Sequence, residues 1–332
     1  MKIISILKNN SLPIYKQIIS SIEKSIEEKR INLNDKLPSI NKVCLEYSLS
    51  RDTVLLGYEE LKKRGIIYAI PGKGYYVKST GVSIRNKIFL LFDEINVFKE
   101  DLYNSFLKSL GENVQVDIYF HHFNSNVFRK LIEENNGNYT KYVIMPTNLK
   151  NTNSTLNTLP VKDVYILDQT NSELNNFSYV VQNFVKDMYF GLLEGKSRLD
   201  KYNKIILIFP GFREPVEMKI GFENFCKDYN FQYEIISEFH NYEINKGDVY
   251  IIPNDRDMVK VIEQSKANKL IIGTDIGIIS YNETPLKKVV ENGITTISTD
   301  FEDMGKIMAQ MILDNKYEQI ENKCHLILRH SL

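Results

Sequence analysis

The sequence predicts an α/β protein: an N-terminal winged helix-turn-helix followed by a two-lobed domain with parallel sheets. Three observations predict it. Residues 12–78 carry the caps, turns and glycine-tipped hairpin of a winged helix. From Asn86 onward, short continuous apolar runs alternate with amphipathic stretches of helical period, as βαβ units require. Those runs are too numerous for one comfortable sheet, which divides the second part into two lobes. The expected boundaries are a head over 1–80, a linker over 81–85 and a two-lobed body over 86–332.

Ile14, Ile18, Ile22 and Ile26 recur every four residues, with Tyr15 and Ile19 beside them, and so form one apolar stripe on a helix. Leu37-Pro38-Ser39 stops the chain and restarts it, with Ser39 as N-cap of a short helix carrying Val43, Cys44 and Tyr47. Ser50 caps the next helix, Arg51 to about Arg64, with Val54, Tyr58 and Leu61 inward. Two helices joined by a tight turn have helix-turn-helix spacing. The second enters a major groove by its N-terminus, so Ser50, Arg51, Asp52 and Thr53 are placed to meet bases and phosphates. Ser39, Asn41 and Lys42 accompany them from the helix before. Ile66 to Ile70 and Tyr75 to Val77 are short β runs joined by Pro71-Gly72-Lys73-Gly74, a hairpin whose Lys73 and Gly74 suit a wing along a groove. The expected partner is duplex DNA.

Charge agrees with that division. Residues 1–80 hold 14 Lys and Arg against 8 Asp and Glu, a net of +6. The remainder holds 28 against 34, a net of −6, so attraction to DNA is focused on the head. Hydrophobic residues make up 43%, enough for real cores, and no stretch is long and apolar enough to cross a membrane. The run Met1 to Leu7 is broken by Lys8-Asn9-Asn10 and does not read as a signal peptide. Cys44, Cys226 and Cys324 are scattered, which fits reduced thiols in a cytoplasmic protein and supplies no metal spacing. No Gly-x-Ser-x-Gly, phosphate loop or Gly-x-Gly-x-x-Gly after a strand is found, so neither enzyme chemistry nor a cofactor is expected.

In the body, Lys87 to Phe92, Val116 to Phe120, Tyr142 to Met145 and Val164 to Leu167 read as strands. So do Ile205 to Phe209, Tyr233 to Ile236, Val249 to Ile252 and Leu270 to Ile272. Helices are expected from Lys99 to Glu112, through Phe184, Met188 and Leu192, and after an Asp300 cap with Met304, Ile307, Met308 and Met311 inward. Ligands of such sheets bind outside the carboxyl ends of the strands. That rule selects Asp93, Glu94, Asn96 and Phe98 after the first strand, and Asp168, Arg213, Asn254 and Asp275 after later ones. Carboxylates, amides and guanidiniums suit a polyol, with an aromatic ring against its apolar face.

The head residues quoted above resemble the DNA-binding domain of GntR-family bacterial transcription regulators. In that family the position two after the Leu-Pro-Ser serine is often arginine, and here it is Asn41. The contact position four after Arg51 is Leu55. The body, through Leu270 to Asp275, Gly293 to Asp300 and Leu326 to Leu332, resembles the effector domain of LacI-family repressors, which is similar to periplasmic sugar-binding proteins. The whole is similar in layout to bacterial arabinose repressors. The resemblance implies a repressor of a sugar-utilisation operon, acting as a homodimer on operator DNA. Its effector would be a monosaccharide or sugar phosphate, with arabinose and fucose as candidates. It also matches Asp275 to a sugar-binding aspartate, and puts Met218 where a cleft arginine is usual. Two other readings stand beside it: a DNA-binding regulator whose body only mediates assembly, and a sugar-binding protein with a vestigial head.

Overall fold

The computed structural model describes residues 2–7, 12–79, 87–112, 114–211, 213–240 and 242–332. The expected linker, 81–85, lies outside the described residues. The chain forms two compact units: residues 1–94, 110–166 and 171–178, and residues 95–109, 167–170 and 179–332. No helix among the described residues is long and apolar enough to cross a membrane.

The first unit opens with α1 (Ile14–Glu27), α2 (Ile40–Tyr47), α3 (Arg51–Lys63), β1 (Ile67–Ile70) and β2 (Gly74–Val77). The expected caps are in place: Ser39 accepts from the Lys42 N–H, and Ser50 from the Thr53 N–H. Each satisfies a backbone donor that the first helical turn leaves open, worth about 1 kcal/mol. Ser48 takes a left-handed conformation that ends α2. Ile18, Ile22, Val43, Val54, Tyr58 and Leu61 close one core, and the Tyr58 hydroxyl donates to the Pro38 carbonyl at 2.7 Å. β1 and β2 pair antiparallel from Ile67↔Val77 to Ile70↔Gly74, which makes the wing.

The chain continues through β3 (Lys87–Phe92), α4 (Val97–Leu110), β4 (Gln115–Phe120), α5 (Ser125–Asn135), β5 (Lys141–Ile144), α6 (Thr152–Leu156), β6 (Val164–Asp168) and β7 (Ser178–Val181). β3 pairs parallel with β4 and β5, and β5 with β6, so the spatial order is β4-β3-β5-β6. Ile88 to Phe92 is buried throughout, as a parallel strand covered on both faces demands.

The second unit adds α7 (Phe184–Glu194), α8 (Lys196–Leu199), β8 (Lys204–Ile208), α9 (Val216–Asp228), β9 (Gln232–Ile236), β10 (Asp248–Ile252), α10 (Asp255–Ala267) and β11 (Gly277–Tyr281). β12 (Thr295–Thr299), α11 (Phe301–Leu313), β13 (Gln319–Glu321) and β14 (Cys324–Ile327) follow. Its sheet runs β14-β12-β11-β10-β8-β9, parallel except where β14 returns against β12. β13 pairs parallel with β7. α7 crosses α9 so closely that a Cβ on Gly221 would lie 2.3 Å from the Val185 carbonyl oxygen. Asp300 caps α11 by accepting from the Asp303 N–H, as expected.

One expected strand is absent. Leu270 to Ile272 forms only an isolated bridge, Ile272↔Ile276, and the strand is β11, which starts at Gly277. The run 270–276 is a turn instead. The Ile271 N–H donates to Asp275 Oδ2 at 2.9 Å, the Asp275 N–H to the Ile271 carbonyl at 2.7 Å, and Gly273 has φ +86°. Those bonds use the backbone groups that a sheet ladder would need.

Candidate DNA-binding face and ligand-binding rim

The N-terminal turn of α3 presents Arg51 and Asp52, both exposed, beyond the Ser50 cap. Ser50 and Thr53 pair their hydroxyls at 2.7 Å, so both side chains also serve the cap. Arg51 Nη1 donates to Asn41 Oδ1 at 3.4 Å, which joins the exposed fronts of α2 and α3. Asp52 lies where the helix dipole favours a carboxylate. Ser39, Asn41 and Lys42 are exposed at the start of α2, and Lys73 is exposed at the wing tip between Gly72 and Gly74, whose φ values are +74° and +113°. Sequence reasoning missed Lys36. Its ammonium lies over the Tyr76 ring at 5.9 Å and its Cε would be 3.4 Å from a Cβ on Gly74, so it adds positive charge beside the wing.

In the second unit, the parallel order β12-β11-β10-β8 brings four carboxyl ends to one edge of the sheet. A pocket of roughly 350 Å³ opens there, lined by Pro210, Arg213, Glu214, Asn254 and Arg256, within the size range of small-ligand sites. Asn254 caps α10 by accepting from the Arg256 N–H at 2.8 Å. The Arg213 N–H donates to Glu214 Oε2 at 3.3 Å. Both guanidinium-bearing residues are exposed. Among the described residues the Arg256 guanidinium has no hydrogen bond or ion pair.

Next along the edge, Asn282 follows β11 with φ +60°, and its Oδ1 is buried without a partner among the described residues. The rim is braced from behind by Lys287, which is 2% exposed. Its ammonium donates to the carbonyls of Tyr281 and Asn282 at 2.9 and 2.8 Å and pairs with Asp255 at 3.0 Å. Burial pulls the Lys287 pKa below the ordinary lysine value, and Asp255 opposes that shift. The brace ties the end of β11 to the start of α10.

Of the eight side chains selected from the sequence for a ligand, the pocket brings together Arg213 and Asn254. Asp93 is 2% exposed, and its Oδ1 accepts from the Glu94 N–H at 2.6 Å; both belong to the first unit. Asn96 accepts from the Lys99 N–H at 3.1 Å in the first turn of α4. Phe98 packs its ring on Phe301 at 4.8 Å. Asp168 is buried, with φ +72°, and accepts from Gln182 Nε2 at 2.5 Å. Asp275 needs correction, because it precedes β11 and so lies at the opposite end of that strand from the rim. It closes the 271–275 turn and pairs with Lys246 at 2.8 Å, which together with the Ile271 N–H holds its pKa below the usual carboxylate value. Met218, at the position of the usual arginine, is 2% exposed in the core. Arg256, Asn282 and Lys287 were missed. The signal for Asn282 was available in the apolar run Gly277 to Tyr281 that precedes it.

Residues 14–77 match the family described as bacterial regulatory proteins, gntR family, and residues 200–332 match the periplasmic binding protein-like domain. The chain is 37% identical over 70 residues to the HTH-type transcriptional regulator YcxD of Bacillus subtilis, a stretch that is 21% of this chain and 16% of that protein. It is 30% identical over 99 residues to the HTH-type transcriptional repressor YtrA of Bacillus subtilis, 30% of this chain and 72% of YtrA. It is 32% identical over 71 residues to the arabinose metabolism transcriptional repressor of Geobacillus stearothermophilus, 21% of this chain and 20% of that protein. Among solved structures, the transcriptional regulator CelR–cellobiose complex superposes with a TM-score of 0.62 at 12% identity, over 89% of this chain and all of that one. The trehalose repressor from Escherichia coli superposes at 0.60 with 11% identity, over 73% of this chain and 99% of that one. At such identities the likeness shows the fold. The chain belongs to the gntR family of bacterial regulatory proteins, with a winged helix-turn-helix head and a body of the periplasmic-binding-protein type.

Proposed function

We propose that this protein is a ligand-responsive transcription repressor. It binds operator DNA as a dimer through α3 and the wing, and releases it when a small sugar-like effector binds at the rim of the second sheet. The observation that carries the reading is the exposed front of α2 and α3, with Arg51 bonded to Asn41, in one chain with a strand-end pocket. A two-fold dimer offers two recognition helices to two half-sites, so a palindromic operator is expected. Two similar proteins, an arabinose metabolism repressor and a regulator in complex with cellobiose, support a sugar. Arabinose and fucose are the first candidates to try. The lining adds a preference: two guanidiniums against one carboxylate favour a sugar that carries an anionic group, a phosphate or an acid.

The test has two arms. Selection from genomic fragments at physiological salt should enrich a palindrome; binding without sequence preference would refute the DNA arm. A thermal-shift panel of pentoses, hexoses, their phosphates and sugar acids should give a stabilising hit, about 2.7 kcal/mol at 100 times the dissociation constant. No hit at millimolar concentration would favour a body that only mediates assembly.

A further inference from the structure

Lys16 is an unexpected residue to find buried. It lies in the first turn of α1, beside the isoleucine stripe, and is 8% exposed. Its ammonium donates to the main-chain carbonyl of Asn136, which is 120 residues away in the turn between α5 and β5. Among the described residues that is its one hydrogen bond, and it has no carboxylate partner. The next residue of the turn, Gly137, has φ +75°, and a Cβ there would lie 2.4 Å from Leu12 Cδ1 and 2.7 Å from Lys16 Cδ. Glycine is therefore required twice, for the left-handed backbone and for the close approach of α1.

The turn is anchored to the sheet. The Gly137 N–H donates to the Tyr142 hydroxyl at 2.7 Å, and that hydroxyl donates to the Asn135 carbonyl at 3.0 Å. Tyr142 stands on β5 and is 1% exposed. Asn136 Nδ2 donates to the Thr158 carbonyl at 3.0 Å. On the other side, α1 is pressed against the recognition helix, since a Cβ on Gly57 of α3 would lie 3.0 Å from the Tyr15 carbonyl oxygen. β5, the 135–137 turn, α1 and α3 thus form one packed series.

We propose that the turn at 135–137 is a docking surface for the DNA-binding head, so that the first parallel sheet sets the orientation of α3 through Lys16 and Leu12, in addition to the covalent linker. The docked state is poised rather than locked. An ammonium has three donors, and burying it against one neutral acceptor costs free energy that water returns on undocking. A displacement of β5 would be felt at the head through Tyr142 and the turn.

Hydrogen–deuterium exchange on the full chain, without DNA or ligand, tests this independently of the effector. Lys16→Ala should raise exchange of amides in 135–142 by about tenfold, and Gly137→Ala should do the same in 13–19, while α11 is unchanged in both. Each variant is read in the segment it does not alter. Exchange that changes only around the substituted residue would overturn the docking surface. Should Gly137→Ala fail to fold, the Lys16→Ala arm decides alone, because its side chain leaves the sheet untouched.

Discussion

Replacing Asp187 by asparagine should stabilise the protein, and by an amount that depends on pH. Asp187 lies on α7 and is 7% exposed, and its Oδ2 has no hydrogen-bond partner among the described residues. Burial pushes its pKa up from 3.8 to about 7; the Asn183 backbone and Lys186 pull it down, and Glu321 pushes it up. Tyr281 and Cys324, both raised first by burial, lie close enough to feel its charge. In the unfolded chain the carboxyl titrates near 3.8, so between that value and about 7 the native state binds the extra proton. A raised native pKa gives a contribution that is fully present below the unfolded pKa and lost as pH rises through the native one. With one pKa unit worth about 1.36 kcal/mol, burying this carboxyl costs about 2 kcal/mol at pH 5, where the native state holds it protonated, and about 4 kcal/mol at pH 8, where both states are ionised. Asparagine has the same shape and no charge to bury. Its advantage over the native residue should therefore grow by about 2–3 kcal/mol between pH 5 and pH 8. Urea unfolding of both proteins at the two pH values measures this, and taking the difference removes any fixed hydrogen-bond effect of the amide. A variant-minus-native difference that is constant to within about 0.5 kcal/mol would refute the reasoning.

Arg51→Ala should weaken operator binding by about 1–3 kcal/mol in a direct titration, with a smaller effect on random duplex. Lys73→Ala should weaken binding to all sequences and reduce the slope of log affinity against log salt by about one if the wing tip meets a phosphate. Gly221→Ala should lower the urea midpoint by an amount equivalent to about 1–3 kcal/mol, because its Cβ would sit 2.3 Å from the Val185 oxygen and α7 must move off α9. The double variant Arg213→Ala, Arg256→Ala should abolish thermal shifts by sugar phosphates and sugar acids while leaving those by neutral sugars; the opposite pattern would show that the guanidiniums do not select charge. Effector and operator should each weaken the other's binding by the same factor, about 5–150-fold, and an effector affinity unchanged by saturating operator would exclude the coupling.

What the sequence determined by itself was the local architecture. The isoleucine stripe of α1, the serine caps of α2 and α3 and the glycine-tipped wing are set by residues within a turn or two of each other, so their pattern reads directly. The buried runs of β3 and β10 read as strands for a related reason, since strands covered on both faces are apolar throughout. The strand-end rule selected Arg213 and Asn254, which line the pocket at the carboxyl ends of β8 and β10. Tertiary structure decided the rest. Leu270 to Ile272 and Gly277 to Tyr281 are both short apolar runs, and only the register against β10 and β12 makes the second one the strand. That choice moved Asp275 to the far end of β11 and put Asn282 on the rim. Lys287 and Arg256 gained their places because α10 begins beside the end of β11, a proximity no periodicity encodes. No local pattern in α1 marks Lys16 for burial. It is buried because its partner is 120 residues away, and a contact of that separation is specified by how sheets and helices pack, not by the pattern of either segment.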